Sequence, residues 1–299
     1  MVKFLDEEGV RRVLHWDELI PALERALADF SCGRVLQPVR TVLTIEENQR
    51  YLGVMPAVAS DVMGVKLVTF YPKNAGTEIP THLAMIVLFR ADTGEPLAVM
   101  DGRLITEMRT AAVSAAVTKR LMPPGSRVLA LLGSGVQAHA HLEALSHIAN
   151  FDDVRVWSRT TEHARRFAED HPASPMDAES AVRGADVIVT ATSANEPVLH
   201  GEWLKPGAHV NSVGANHPTW RELDDAAMHN TLVVDSREAV LKESGDVILS
   251  KAAIAAEIGE LFAGSASISA AETTIFKSVG IAVEDLAAAK LVYESASRS

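Results

Sequence analysis

Gly133-Ser134-Gly135-Val136-Gln137-Ala138 sets two glycines and a small sixth residue between the apolar run Arg127 to Leu132 and a stretch of helical periodicity, Val136 to Ile148. In that setting the first glycine permits a tight turn, the second lets backbone approach a ligand, and Ala138 allows close helix packing. Free N–H groups and the helix dipole at such a turn suit a pyrophosphate. The residues therefore point to a dinucleotide held by Gly133, Ser134, Gly135, Val136 and Gln137, against a purely structural tight turn. At the end of the next strand an acidic residue would accept from a ribose 2′-hydroxyl, but Ser158-Arg159-Thr160 stands there instead. A guanidinium flanked by two hydroxyls can pair with a 2′-phosphate, which favours NADP(H). NAD(H) is the alternative cofactor, and a solvated surface arginine is the structural alternative for Arg159.

The elements that must position these residues alternate past Gly125. Strands are expected at Arg127 to Leu132, Val154 to Trp157, Val187 to Thr190, Val210 to Val213 and Leu232 to Asp235, with helices at Val136 to Ile148 and Thr161 to Asp170. That order predicts a doubly wound parallel sheet of the Rossmann type. Earlier in the chain, the spacing of Leu19, Leu23, Ala26, Leu27 and Phe30 predicts a helix over Asp17 to Ser31, stopped by Gly33. Five β-rich runs follow, Val39 to Ile45, Tyr51 to Ala57, Val65 to Tyr71, His82 to Arg90 and Leu97 to Asp101, and their short connections imply an antiparallel sheet. An alanine-rich helix from Thr106 to Met122, ended by Pro123-Pro124-Gly125, bridges the two parts. Thr273 to Val279 and a helix from Val283 to Glu294 read as a return to the first part. The predicted class is α/β, a Rossmann domain of residues 118–271 inserted into a smaller α+β domain of residues 1–117 and 272–299.

A hydrophobic content of 47% over 299 residues gives material for two cores,. The net charge of −11, with no block of like charges, argues against a nucleic-acid or membrane surface, so an anionic substrate would need a local basic pocket. Cys32 is the only cysteine, which rules out an internal disulfide and fits a reducing cytoplasm. The chain turns acidic after Met1-Val2-Lys3-Phe4-Leu5 and does not read as a signal peptide. No window is long and uncharged enough to span a membrane. His139 and His141 diverge on their helix with no carboxylate or cysteine to complete a ligand set, so no metal is expected.

Several separated segments resemble the ornithine cyclodeaminase/mu-crystallin family: Gln37-Pro38-Val39-Arg40-Thr41, Gly64-Val65-Lys66-Leu67-Val68-Thr69-Phe70, Met108-Arg109-Thr110-Ala111-Ala112 and the glycine motif. The resemblance covers nearly the whole chain. Tyr51-Leu52-Gly53-Val54-Met55-Pro56, Ala98-Val99-Met100-Asp101-Gly102 and Leu241-Lys242-Glu243-Ser244-Gly245-Asp246-Val247 are similar to its mu-crystallin, or ketimine reductase, branch. The resemblance implies that Arg40, Lys66 and Arg109 converge on a substrate carboxylate, with Arg109 also a cofactor contact. Arginine can hold a carboxylate through two parallel hydrogen bonds, and a lysine can also donate a proton. Each cation alone reads as a solvated charge or local ion pair, but Lys66 in an apolar strand and Arg109 on an alanine-rich helix would be costly to bury unpaired. The resemblance further implies cofactor contacts from Thr81, His82, Thr192, Val213, Gly214 and Ser278. A strand histidine with a satisfied ring is the alternative for His82.

Where other members of that family carry an acid–base aspartate, Val213-Gly214-Ala215-Asn216-His217-Pro218 has Asn216, which can orient a substrate or water but moves no proton at neutral pH. The departure counts against ornithine cyclisation with ammonia loss and favours direct reduction of a preformed imine. The implied activity is NAD(P)H-dependent reduction of cyclic ketimine carboxylates, 1-pyrroline-2-carboxylate or 1-piperideine-2-carboxylate, to L-proline or L-pipecolate. Reduction of acyclic imines formed from a 2-oxo acid and ammonia or an amine, as in alanine-dehydrogenase-like relatives, and a binding protein that retains NADPH and a small acid without turnover are the alternatives. The resemblance also implies a homodimer formed through the non-Rossmann domain.

Overall fold

In the computed structural model, which describes residues 2–46, 50–269 and 271–298, the chain divides into two units, Met1–Arg109 with Ile281–Ser299, and Thr110–Gly280. The first begins with β1 (Lys3–Leu5), α1 (Glu7–Arg11), α2 (Trp16–Ser31), β2 (Val35–Leu36), β3 (Thr41–Glu46), β4 (Arg50–Ala59), β5 (Val62–Phe70), β6 (His82–Arg90) and β7 (Pro96–Asp101), then runs into α3 (Arg103–Leu121). The second contains β8 (Val128–Leu132), α4 (Val136–Ser146), β9 (Asp153–Trp157), α5 (Thr161–Asp170), β10 (Ser174–Pro175), α6 (Ala178–Val182), β11 (Val187–Thr190) and β12 (His209–Ser212). It continues with α7 (Asp225–Met228), β13 (Thr231–Val234), α8 (Arg237–Glu243), α9 (Gly245–Ser250), β14 (Ile254–Glu257), α10 (Ile258–Phe262) and β15 (Thr274–Lys277), and α11 (Ala282–Arg298) returns to the first unit.

In the first unit the sheet order is β1-β7-β6-β5-β4-β2, with β3 also on β4. The neighbours β4, β5, β6 and β7 pair antiparallel, as their short connections require, and β1 lies parallel to β7. Along β5 the alternation is clear: Val62, Lys66 and Val68 are buried, whereas Leu67 is exposed. The buried face is covered by α11, and Gly64 shows how closely, since a Cβ there would lie 3.0 Å from Leu286 Cδ1 on that helix, besides 2.7 Å from the Val87 carbonyl oxygen of β6. On the opposite face Leu43, Leu67, Leu83 and Met85 share one side by register and stay exposed.

The second unit is a doubly wound Rossmann-type sheet of eight parallel strands in the order β10-β9-β8-β11-β12-β15-β13-β14. Two expectations need correction. The segment Thr273 to Val279 does not return to the first part, because β15 enters between β12 and β13 with all four of its residues buried. A strand with neighbours on both edges and helices over both faces belongs inside a parallel sheet. The division of the chain also falls at Arg109 and Gly280, not at residues 117 and 271. The later turns of α3 are tied to the second unit, where Ser114 Oγ meets His141 Nε2 at 2.9 Å and Asn211 Nδ2 donates to Thr118 Oγ1 at 2.8 Å. Among the described residues no helix is long and apolar enough to cross a membrane.

Candidate functional site

Three cations and two carboxylates meet inside the first unit. Lys66 points from β5 to the α11 side, and α3 carries Arg109; the two side chains are almost fully buried. The first turn of α11 brings Glu284 and Asp285, also buried. Lys66 Nζ lies 2.7 Å from Asp285 Oδ2, while Arg109 lies 3.1 Å from Asp285 Oδ1 through Nε and 2.5 Å from Glu284 Oε2 through Nη1. Lys66 Nζ also donates to Thr106 Oγ1 at 3.4 Å. The loop that carries Arg40 is anchored to the same helix, since Gln37 Oε1 accepts from the Val283 N–H at 2.7 Å. Arg40 is half-buried and near enough to act on both Lys66 and Asp285.

Burial pushes the Lys66 ammonium down; Asp285 opposes this, and Arg109 and Arg40 add to it, leaving a pKa of about 8. Burial pushes the Asp285 carboxyl up, but Arg109, Lys66 and Arg40 outweigh it and hold the group below its ordinary value. His82 opens β6 on the same sheet face as Lys66, its ring packed at a 40° tilt against Phe70 with centroids 4.5 Å apart and its Nδ1 3.2 Å from Thr81 Oγ1. Its ring keeps solvent access, yet the crowding protein and then the Lys66 charge push it down to about 4, so it is neutral at physiological pH. Asp285 and Glu284 match Lys66 and Arg109, and Arg40 adds a further cation to the same field; arginines beside a lysine are side chains that can hold an organic carboxylate.

In the second unit the expected cofactor residues gather at the carboxyl ends of neighbouring strands. Gly133 has φ +123°, and a Cβ on it would lie 2.5 Å from the Ala191 carbonyl oxygen, so only glycine fits the turn. Gly135 caps α4, so no capping side chain meets the first N–H groups of the helix, and its own Cβ position faces open space. Gln137 Oε1 is buried without a partner. The Gly133 N–H donates to the Trp157 carbonyl at 2.9 Å, which places the turn beside Ser158, Arg159 and Thr160; Arg159 and Thr160 are exposed. On the other side Ala191 N–H donates to Leu132 at 2.8 Å, and Gly214 packs against the backbone of Thr192 with no room for a side chain. The uncapped helix start and glycine turn fit a pyrophosphate, and the guanidinium with its flanking hydroxyls fits a ribose phosphate. Such strand ends are where doubly wound sheets take ligands.

Other expected residues are otherwise engaged. Ser278 is buried and its Oγ donates to Asp235 at 3.0 Å, next to the Val279 and Gly280 N–H groups on the same carboxylate. Asn216 is exposed and donates to the Val213 carbonyl at 3.4 Å within its own turn, where Ala215 has φ +52°. His217 Nδ1 lies 3.0 Å from Thr219 Oγ1, and His139 Nδ1 lies 2.6 Å from His171 Nε2. Among the described residues no group of three or more His, Cys, Asp or Glu could hold a metal ion. Sequence reasoning missed Glu284 and Asp285, because acidic residues in a first helical turn pass as dipole-compensating charges. The signal lay around them, since Ala282-Val283 and Leu286 to Ala289 are apolar and buried carboxylates need partners,.

Residues 2–299 match the sequence profile of the ornithine cyclodeaminase/mu-crystallin family. The ketimine reductase mu-crystallin of Mus musculus is 53% identical, over 98% of this chain and 96% of the relative. Among solved structures, the Δ1-pyrroline-2-carboxylate reductase of Thermococcus litoralis in complex with NADH and L-proline is 36% identical, with a TM-score of 0.94 over 100% of this chain and 98% of that one. An archaeal alanine dehydrogenase dimer with bound NAD is 34% identical, with a TM-score of 0.93 over 99% of this chain and 96% of that one.

The shared role of Asp285 is open to a double-mutant cycle. Asp285→Asn should cost roughly 3 kcal/mol in urea unfolding by leaving a buried ammonium without its anion. Adding Lys66→Met should restore a substantial part of that loss; strictly additive losses would mean that the two groups do not interact.

Proposed function

The chain belongs to the ornithine cyclodeaminase/mu-crystallin family, and on that premise we propose that it is an NAD(P)H-dependent reductase of cyclic ketimine carboxylates. The substrates are 1-pyrroline-2-carboxylate and 1-piperideine-2-carboxylate, and the products are L-proline and L-pipecolate. The observation that carries the reading is the buried cluster in which Asp285 holds Lys66 and Arg109 side by side, with Arg40 acting on the same carboxylate. It is supported by relatives that are a ketimine reductase and a pyrroline-2-carboxylate reductase.

In this reading the first unit is the substrate-binding and dimerisation domain and the second is the cofactor domain. The reduced nicotinamide, when bound, supplies the hydride for the imine carbon. Arg40 and Arg109 grip the substrate carboxylate and so fix the adjacent carbon, and Lys66 carries the proton that the imine nitrogen needs. Asp285 stays ionised and keeps the ammonium aimed. Asn216 orients substrate or water without moving a proton, which is why ornithine cyclisation ranks below reduction. Thr81 and His82 serve the nicotinamide end, and Ser134 to Gln137 hold the pyrophosphate. Arg159 with Ser158 and Thr160 reads a 2′-phosphate, which makes NADP(H) the preferred cofactor. The protein works in the cytoplasm, for which a free, exposed Cys32 is suited,.

The exposed apolar side chains Leu43, Leu67, Leu83 and Met85 are assigned to a homodimer interface, since contiguous apolar sheet faces seldom stay bare. The archaeal alanine dehydrogenase relative is a dimer.

The function is tested by loss of NADPH absorbance with both cyclic ketimines and with pyruvate plus ammonia. The cyclic substrates should turn over faster, and no oxidation of NADPH by any imino acid would refute the reading. In the same assay Arg159→Ala should raise the KM for NADPH about tenfold and leave that for NADH nearly unchanged; an equal effect on both cofactors would remove the assigned role.

The pH profile checks Lys66. Because the protonated form is the active one, kcat/KM should fall as pH rises through about 8, and a profile flat to pH ~10 would exclude Lys66 as the required acid. For the interface, light scattering should give about twice the chain mass, and Met85→Glu should yield monomers; a wild-type monomer would sink the assignment.

A further inference from the structure

A second set of buried charges, Glu222, Asp246 and Lys277, lies in the second unit at the ends of β11 and β12. Lys277 pairs with Asp246 Oδ2 at 2.9 Å and donates to the Gly214 carbonyl and to Ser212 Oγ. Asp246 Oδ1 accepts from the backbone N–H groups of Glu222 at 2.8 Å and Leu223 at 3.0 Å, which fixes the segment carrying Glu222. Glu222 Oε1 accepts from the Thr192 N–H and from Thr192 Oγ1, both at 2.7 Å. Its Oε2 accepts from Thr190 Oγ1 at 2.9 Å, the Gly214 N–H at 2.9 Å and Ser212 Oγ at 3.2 Å. Every one of these donors belongs to the end of β11 or the end of β12.

Burying a carboxylate is costly unless its partners repay the desolvation. The sheet does not need this one to close, because β11 and β12 already pair in register along Val187–Thr190 and His209–Ser212. What Glu222 adds is the position of Thr192 and Gly214, which lie beyond the last rung of that ladder. The strand order runs β9-β8-β11-β12, with the glycine turn after β8 and Arg159 after β9. A dinucleotide whose adenosine half lies over β9 must carry its other half toward β11 and β12. We propose that Glu222 is a positioning residue for the nicotinamide half of the cofactor, locking the Thr192 and Gly214 loops to one another so that they present a fixed surface to it. The proposal rests on the reading of the second unit as the cofactor domain.

Glu222→Gln keeps the shape but replaces one acceptor with a donor, so one of the two strand ends loses its partner whichever way the amide lies. Equilibrium titration of the whole chain with NADPH and with 2′-phospho-ADP-ribose, which lacks the nicotinamide, separates local positioning from general support. NADPH binding should weaken roughly tenfold or more and 2′-phospho-ADP-ribose binding should stay within about twofold. Equal weakening of both ligands, or unchanged NADPH affinity, would overturn the proposal. Should Glu222→Gln fail to fold, Thr190→Val with Ser212→Ala removes two donors to the same carboxylate and should weaken NADPH about threefold with the same selectivity; unchanged or unselective binding there overturns it equally. A wild-type chain that binds neither ligand would instead refute the cofactor reading and this inference with it.

Discussion

Asp285 allows two cations to lie under protein in one place. An isolated buried ammonium or guanidinium would be driven out or neutralised. Here one carboxylate takes Lys66 on one oxygen and Arg109 on the other. Gln37, holding the start of α11, brings Arg40 into the same field. Around that arrangement the first unit makes sense as a scaffold, with β5 supplying the lysine, α3 the arginine and α11 the counter-charges. Gly64 is bare because α11 must come close enough for its first turn to reach Lys66.

The two units solve the same electrostatic problem in different ways. In the first, Lys66 and Arg109 meet Asp285 and Glu284 side chain to side chain, cation directly on carboxylate. In the second, Glu222 and Asp246 face a single Lys277, and the excess negative charge is spread over backbone and hydroxyl donors that the strands already present. A protein with a net charge of −11 can therefore keep three cations close together in one local region, because field strength at a site depends on what is buried beside it more than on the total.

Much of the architecture was legible in the residues. The helix over Thr161 to Asp170 and the strands Val187 to Thr190 and His82 to Arg90 sit where periodicity puts them, and the glycine turn opens α4 as its spacing requires. The short helices α6, α7, α8 and α9 were not read. Each begins at a side chain, Asp177, Asp224, Ser236 or Ser244, that accepts from the N–H three residues on. A single capping residue before so short a helix is too small a pattern to stand out. Arg40, Lys66 and Arg109 were visible through resemblance, but the acids that hold them were not. Pairings between residues far apart in the chain leave no local periodicity. Glu222 is the extreme case, a lone glutamate after Trp220-Arg221 whose partners come from three other segments.

The placement of β15 has a consequence for how the molecule comes into being. Its edges are claimed by β12 and β13, strands made much earlier. Until residues 274–277 emerge, the middle of the larger sheet is a gap with two unsatisfied strand edges, and Lys277 is missing from beside Asp246. The next residues to follow are those of α11, which bring Glu284 and Asp285 to the waiting cations. Both buried charge clusters thus draw on one short stretch of chain, residues 277–285, so neither can bury its charges fully compensated before that stretch is in place,.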